Sequence, residues 1–248
     1  MKQIINKILN PFGIELHGKG YLKSMSKGDF DLNEFDFKKK VLKREKVTVI
    51  FDVGANSGSI TERYLKDFPN AQIHLFEPSS DLFQVLKHKF HDNPRITLNK
   101  LAISNKIGEA DFYVNKSIDT SSLLKPKEIG LNSDKVVKTE KIEKIEMITI
   151  DFYCKKNNIN EIDILKLDIQ GGELYALEGS SSMLEMQRIK LIYNETYFQQ
   201  QYMEQPLFFE IGQFLFKKGY ILQDFYSKIY GKDSLVWCDV IFTKRNLL

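Results

Sequence analysis

Five carboxylates and four glycines stand at or just past the ends of apolar runs in this chain. Asp52 closes the run Val47–Asp52, and Glu77 closes AQIHLFE. Asp168 closes IDILKLD, and Glu195 closes RIKLIYNE. Glu173 follows Asp168 across the pair Gly171-Gly172. A carboxylate in such a place can accept a hydroxyl, take its proton during attack, or ligate a divalent cation. Gly54 removes a side chain where backbone must approach a ligand, and Gly58 lets the turn feed tightly into the next helix. The free N–H groups at that helix start, near Ser59–Thr61, attract an anion. Each acid also has a plainer reading: Asp52 as a turn or capping acid, Asp168 as a turn acid, Glu173 as an acid favoured at a helix N-terminus.

The elements that would position these groups alternate. Val47–Asp52 reads as a strand and Ser59–Phe68 as a helix stopped by Pro69. AQIHLFE is a second strand, SSDLFQVLKHKF a helix, and RITLNKLAIS a third strand that ADFYV extends or pairs beside. IDFYCKKNN is a helix, IDILKLDI a fourth strand, ELYALEG a helix start and RIKLIYNE a fifth strand. QPLFFEIGQFLFKKG reads as an amphipathic helix closed by Gly219, with Phe208, Phe209, Phe214 and Phe216 expected in the core. YILQDFY and SLVWCDVIFTK form a final hairpin around Gly231-Lys232-Asp233. Strands alternating with helices predict a parallel sheet with helices on both faces, edged by antiparallel strands. Residues 115–146 are polar and weakly periodic, and read as a long loop or lid beside the site.

In such sheets ligands bind beyond the carboxyl ends of the strands. The spacing Gly54-x-x-x-Gly58 lacks the glycine array that cradles a pyrophosphate, which disfavours a nicotinamide-dependent oxidoreductase. Glu77 can accept both ribose hydroxyls of a nucleoside. The combination suggests a nucleoside carrying a small carboxylate, the form of S-adenosylmethionine.

FDVGANSGSIT, LFEPS, LKLDIQGGELYALEG, NETYFQQQYMEQPLF and WCDVIFTK occur in that order. Over residues 47–243 the sequence resembles the FkbM-type S-adenosylmethionine-dependent methyltransferases. The resemblance implies a Rossmann-like class I methyltransferase fold, with a seven-stranded, mostly parallel sheet and a C-terminal antiparallel hairpin. It implies O-methyl transfer, commonly to hydroxyls of glycans or polyketides, with S-adenosylhomocysteine as product. Carried over, Asp52, Gly54, Ala55, Asn56 and Gly58 surround the methionine end, Glu77 the ribose, and Ala102 the adenine. Methyl transfer to a weakly nucleophilic hydroxyl gains from alignment and from a base. Asp168 is then expected to touch cofactor and acceptor, with Glu195 or Glu173 as the base. Lys166 lies on the same side of its strand as Asp168, and either orients it or simply pairs with it. A divalent metal is conceivable at these acids but is not expected, and no zinc-ligand spacing exists.

The remaining features bound the partners. The net charge is +3, with a basic surplus confined to residues 1–46, which read as a short helical extension before a domain at 47–248. That arm reads as a solvated face, with weak contact to an anionic membrane surface as the alternative. The mild charge, and Asp168-Ile-Gln-Gly in place of the Asn/Asp-Pro-Pro-aromatic string of base methyltransferases, argue against a nucleic acid. The expected partner is a small-molecule or glycan hydroxyl acceptor. A non-catalytic nucleoside-binding module of the same fold is the alternative from another class. Two cysteines without a CxxC motif suit a cytoplasmic protein, and no secretory signal or membrane span is expected. His74, Cys154 and Cys238 read as packing, while Tyr197, Phe198 and Tyr202 read either as packing or as a platform for a sugar ring.

Overall fold

The computed structural model describes residues 33–43, 46–127, 137–245 and 247. Most of the expected basic arm, and the centre of the expected lid, therefore lie outside the described residues. Helix α1 is Glu34–Leu42. A seven-stranded sheet follows, made of β1 (Val49–Val53), β2 (Gln72–Phe76), β3 (Ile96–Asn99), β7 (Ile162–Leu167), β8 (Ile189–Tyr197), β9 (Tyr220–Tyr230) and β10 (Leu235–Lys244). Their order is β3-β2-β1-β7-β8-β10-β9. The pairs from β3 to β8 are parallel, and β10 runs antiparallel to both β8 and β9. Every residue of β7 is buried, as befits a central parallel strand covered on both faces. Helices α2 (Ser59–Asp67), α3 (Ser80–Phe90), α4 (Ile150–Lys156), α5 (Glu173–Glu178), α6 (Ser181–Glu185) and α7 (Phe208–Lys217) connect these strands. No helix among the described residues is long and apolar enough to cross a membrane.

Three expectations need correction. RITLNKLAIS is not one strand: β3 stops at Asn99, and β4 (Ala102–Ile103) leaves the main sheet for a small one. That second sheet has the order β4-β6-β5, with β5 at Gly108–Asn115 and β6 at Thr139–Ile148. Much of the expected lid is thus strand β6, whose buried Ile145 and Met147 pack with Ala102, Phe112 and Val114. Its charged neighbours hid the period: Lys144 and Lys141 stand outward, paired with Asp111 and Asp81. Third, α7 does not bury its aromatic residues evenly. Phe209 is 75 % exposed and Phe216 52 %, while Phe208 packs against Phe198 and Phe225.

The sheet register sets the site. Val53 pairs with both Phe76 and Leu167, and Leu167 pairs with Asn194. One step along from that row stand Gly54, Glu77, Asp168 and Glu195, brought to one level by four parallel strands.

Candidate active site

A cavity of about 380 Å³ opens beyond this edge of the sheet. Gly54, Asn56, Glu77, Ala102, Asp168 and Glu195 all line it. Asp52, Ala55, Gly58 and Glu173, expected at the site from their motifs, are not on its wall; each lies behind it for a local reason. Asp52 is fully buried, accepts a hydrogen bond from Thr61 Oγ1 at 2.6 Å, and faces Lys166 Nζ at 3.2 Å. Asp52 and Lys166 are register partners on β1 and β7, so their side chains meet side by side. Gly58 has φ +78, and a Cβ there would meet Phe90 at 2.5 Å and Leu86 at 2.9 Å. Ala55 is buried in the turn where the Gly54 and Ala55 amides donate to the Phe76 carbonyl. Glu173 turns inward: its Oε1 accepts the Ile169 amide at 2.9 Å and the Gly171 amide at 3.2 Å. Burial pushes its carboxyl up to about 7 in spite of those bonds.

Gly54 is on the wall, yet its lack of a side chain answers first to the protein. At φ +76, a Cβ would fall 1.9 Å from the Asp168 carbonyl oxygen. β1 and β7 therefore converge only over a glycine. Lys166 fastens the junction, donating to the Gly54 carbonyl at 2.6 Å and standing 3.5 Å from Asp168 Oδ2. Burial opposes its charge, but Asp52 and Asp168 outweigh that and hold the ammonium well above its ordinary range. Lys166 thus both pairs with Asp168 and orients the turn.

Glu77 shares the cavity wall with Leu82, Leu101, Ala102, Ile103 and Phe112. Its Oε1 accepts the Ser79 amide and its Oε2 the Asn56 amide, both at 2.9 Å. Burial raises this carboxyl to about 7 against those two amides. Asn56 reaches it from a left-handed backbone, φ +50.

On the β7–β8–β10 side the wall is formed by Asp168, Glu195, Tyr197, Gln201, Tyr202 and Trp237. The Asp168 side chain is 42 % exposed, whereas Glu195 is buried. Burial raises the Glu195 carboxyl well above its ordinary range, and the like charges of Asp168 and Glu173 add to it. The Tyr197 hydroxyl donates to Glu195 Oε2 at 2.7 Å. Register pairs Tyr197 with Trp237 across β8 and β10. Gln201 Nε2 is buried without a hydrogen-bond partner. Sequence reasoning missed Gln170, Gln201 and Trp237 as site residues. The signal for Gln170 was its place two residues past Asp168 in a glycine turn; for Trp237 it was a lone tryptophan on a strand of the final hairpin.

Three residues read as packing are indeed packed. His74 Nδ1 lies 2.9 Å from the Tyr153 hydroxyl, and burial lowers its pKa to about 4. Cys154 and Cys238 are free and buried. Among the described residues, no group of three or more His, Cys, Asp or Glu is placed to hold a metal ion.

Counted by its own strands, the main sheet runs 3-2-1-4-5-7-6 with only strand 7 antiparallel to its parallel core, and its cavity lies beyond the carboxyl ends. That defines an α/β protein of the class I methyltransferase fold. The chain belongs to the FkbM methyltransferase family: a family model described as "Methyltransferase FkbM domain" matches residues 52–222. The 2-O-methyltransferase NoeI of Sinorhizobium fredii is 28% identical over 153 residues, which is 59% of this chain and 62% of that protein. The chain thus spans less than two thirds of that relative. Among solved structures, Burkholderia thailandensis 1,6-didemethyltoxoflavin-N1-methyltransferase matches 98% of this chain and 90% of its own, at 11% identity and TM-score 0.47. Precorrin-6y C5,15-methyltransferase from Geobacter metallireducens matches 85% and 87%, at 12% identity and TM-score 0.45.

Proposed function

We propose that residues 47–248 form an S-adenosylmethionine-dependent O-methyltransferase whose acceptor is a hydroxyl, most simply one on a sugar or glycan. The observation that carries this reading is that Gly54, Glu77, Asp168 and Glu195 share one cavity. Its Glu77 end fits a nucleoside. The apolar residues suit an adenine face, and a carboxylate with one amide on each oxygen keeps lone pairs for two ribose hydroxyls. Asn56 and the Gly54 backbone would hold the amino-acid end. When bound there, the cofactor supplies an electrophilic methyl group on a sulfonium.

The chain's own work is done at the opposite end. Glu195 takes the acceptor's proton as oxygen attacks. Its buried, raised carboxyl is a stronger base than an exposed one and gains that role as pH rises. Asp168, more exposed and fixed by Lys166, holds the acceptor hydroxyl in line. Glu173 is assigned to bracing the turn, not to proton transfer. Trp237 and the unpartnered Gln201 amide suit a polyhydroxylated ring, which offers an apolar face and many hydroxyls. The name of the Sinorhizobium relative supports oxygen as the methylated atom. A nicotinamide-dependent oxidoreductase is disfavoured by the absent glycine array, and a silent binding module by the built basic group at Glu195.

The test is titration calorimetry of the full chain with S-adenosylmethionine, S-adenosylhomocysteine and NAD, followed by radiolabelled methyl transfer to a panel of sugars. Micromolar binding of both adenosyl ligands, lost in Glu77→Ala, is expected. Binding of NAD instead, or of none, overturns the reading, and binding without transfer to any hydroxyl would favour the silent module.

A further inference from the structure

Gln170 stands between the two carboxylates that line the acceptor end. Its Nε2 donates to Asp168 Oδ1 at 3.1 Å and to Glu195 Oε2 at 2.8 Å. Its Oε1 lies 3.0 Å from the Tyr197 hydroxyl and 3.1 Å from the Tyr202 hydroxyl, whose single protons it shares with Glu195 Oε2 and the Thr120 carbonyl. A side-chain amide has two N–H donors and two acceptor lone pairs, and each of the four has a polar neighbour here. While the two acids are ionised this orientation is favoured, because the flipped amide would aim its oxygen at two anions.

The backbone is held as firmly. Gln170 has φ +56, a left-handed conformation that a residue with a side chain adopts only where its surroundings impose it. Its carbonyl accepts from Ser122 Oγ at 2.8 Å. The amides on either side, Ile169 and Gly171, donate to Glu173. Tyr202 in turn lies within 2.8 Å of the Thr120 carbonyl. Segments 118–124 and 197–205 therefore converge on Gln170, the first at its main-chain carbonyl through Ser122 and the second at its side chain through Tyr197 and Tyr202.

We infer that Gln170 is a positioning residue for methyl transfer: it separates two like-charged carboxylates and holds Glu195 through Oε2, leaving Oε1 for the acceptor's proton. The inference rests on the reading of Glu195 as the base. The charges around Glu195 explain the need for such a bridge. Asp168, Glu173 and Asp239 all disfavour its anion, and Lys166 is a cation that answers them. Tyr197, Tyr202 and Cys238 complete the titratable groups around it. Two amide protons shared between Asp168 and Glu195 stabilise both anions without adding charge. A side chain that only packed would leave Glu195 to ionise as before when replaced.

The test is an infrared titration of the full chain, with the Glu195 carboxylic-acid band identified by its loss in Glu195→Gln. Gln170→Leu keeps bulk and removes the bridge. Gln170→Asn tolerates the left-handed backbone but is one methylene too short to reach both acids. In both variants the Glu195 midpoint is expected to move up by about one pH unit or more, the scale of one lost hydrogen bond to a charged group. Binding of S-adenosylhomocysteine should stay within about threefold, which reports an intact fold. An unmoved midpoint with that binding retained overturns the inference and leaves Glu195 as base. Should Glu195→Gln remove no titrating band, the base reading itself fails, and Gln170 positions nothing.

Discussion

The two ends of the cavity are built on different scales of chain. At the β1–β2 end, the groups from Asp52 to Glu77 are close in sequence, and backbone does most of the work. Asn56 and Ser79 present amides, and these two fasten Glu77. At the β7–β8–β10 end, the wall is a side-chain network joining Asp168, Gln170, Glu195, Tyr197 and Tyr202 to the Thr120 carbonyl. The first end has one shape that local motif and strand register dictate. The second depends on hydroxyls that each have one proton and two acceptors within reach, so it can be retuned without rebuilding the fold.

That contrast predicts separable failures. The largest effect is expected for Glu195→Gln: methyl transfer should fall by about 10²- to 10⁴-fold, the usual contribution of a general base, with adenosyl-ligand binding unchanged by calorimetry. A parallel loss of binding would mean that the two ends are not independent. Next is Lys166→Met, which leaves Asp52 buried beside no cation and frees the Gly54 carbonyl. It should cost about 3 kcal/mol in denaturant unfolding and weaken both ends together.

A smaller effect concerns pH at the nucleoside end. Glu77 is raised to about 7, and ribose hydroxyls donate best to its carboxylate form. Protonation therefore competes with the ligand as pH falls through that value. Affinity for S-adenosylhomocysteine should drop by about tenfold from pH 8 to pH 6, and Glu77→Gln should flatten the dependence. A flat wild-type profile would remove Glu77 from the ligand. The smallest effect is expected for Glu173→Gln, which keeps an oxygen to accept the Ile169 and Gly171 amides. The raised carboxyl of Glu173 favours the folded state while protonated, and that advantage is lost between the ordinary value of 4.5 and about 7. The neutral substitution should therefore leave melting temperature at pH 8 unchanged or higher, with turnover within about threefold. A large loss of turnover would return Glu173 to the chemistry and undo the division between bracing and reacting acids.

The strand ends were legible from residue types alone. Glu77 and Asp168 were read as strand-end acids and do line the cavity, whereas the first strand, read as closing at Asp52, runs on to Val53 and buries Asp52 against Lys166. Gly54 and Gly58 were legible too, although contacts with Asp168, Phe90 and Leu86, more than any ligand, explain them. Strand β6 was not, because its outward charged face masked a short buried one. Nor could spacing separate Glu173 from Glu195. Both are nearly fully buried and both are raised by burial, yet one faces backbone amides and the other a cavity. The sequence determined which residues end strands, because burial selects apolar residues and turns select glycine. Only the tertiary structure decided which acid meets which partner. Asp52 meets Lys166, and Gln170 meets Glu195, through sheet register between segments far apart in the chain, and no local periodicity encodes such a pairing.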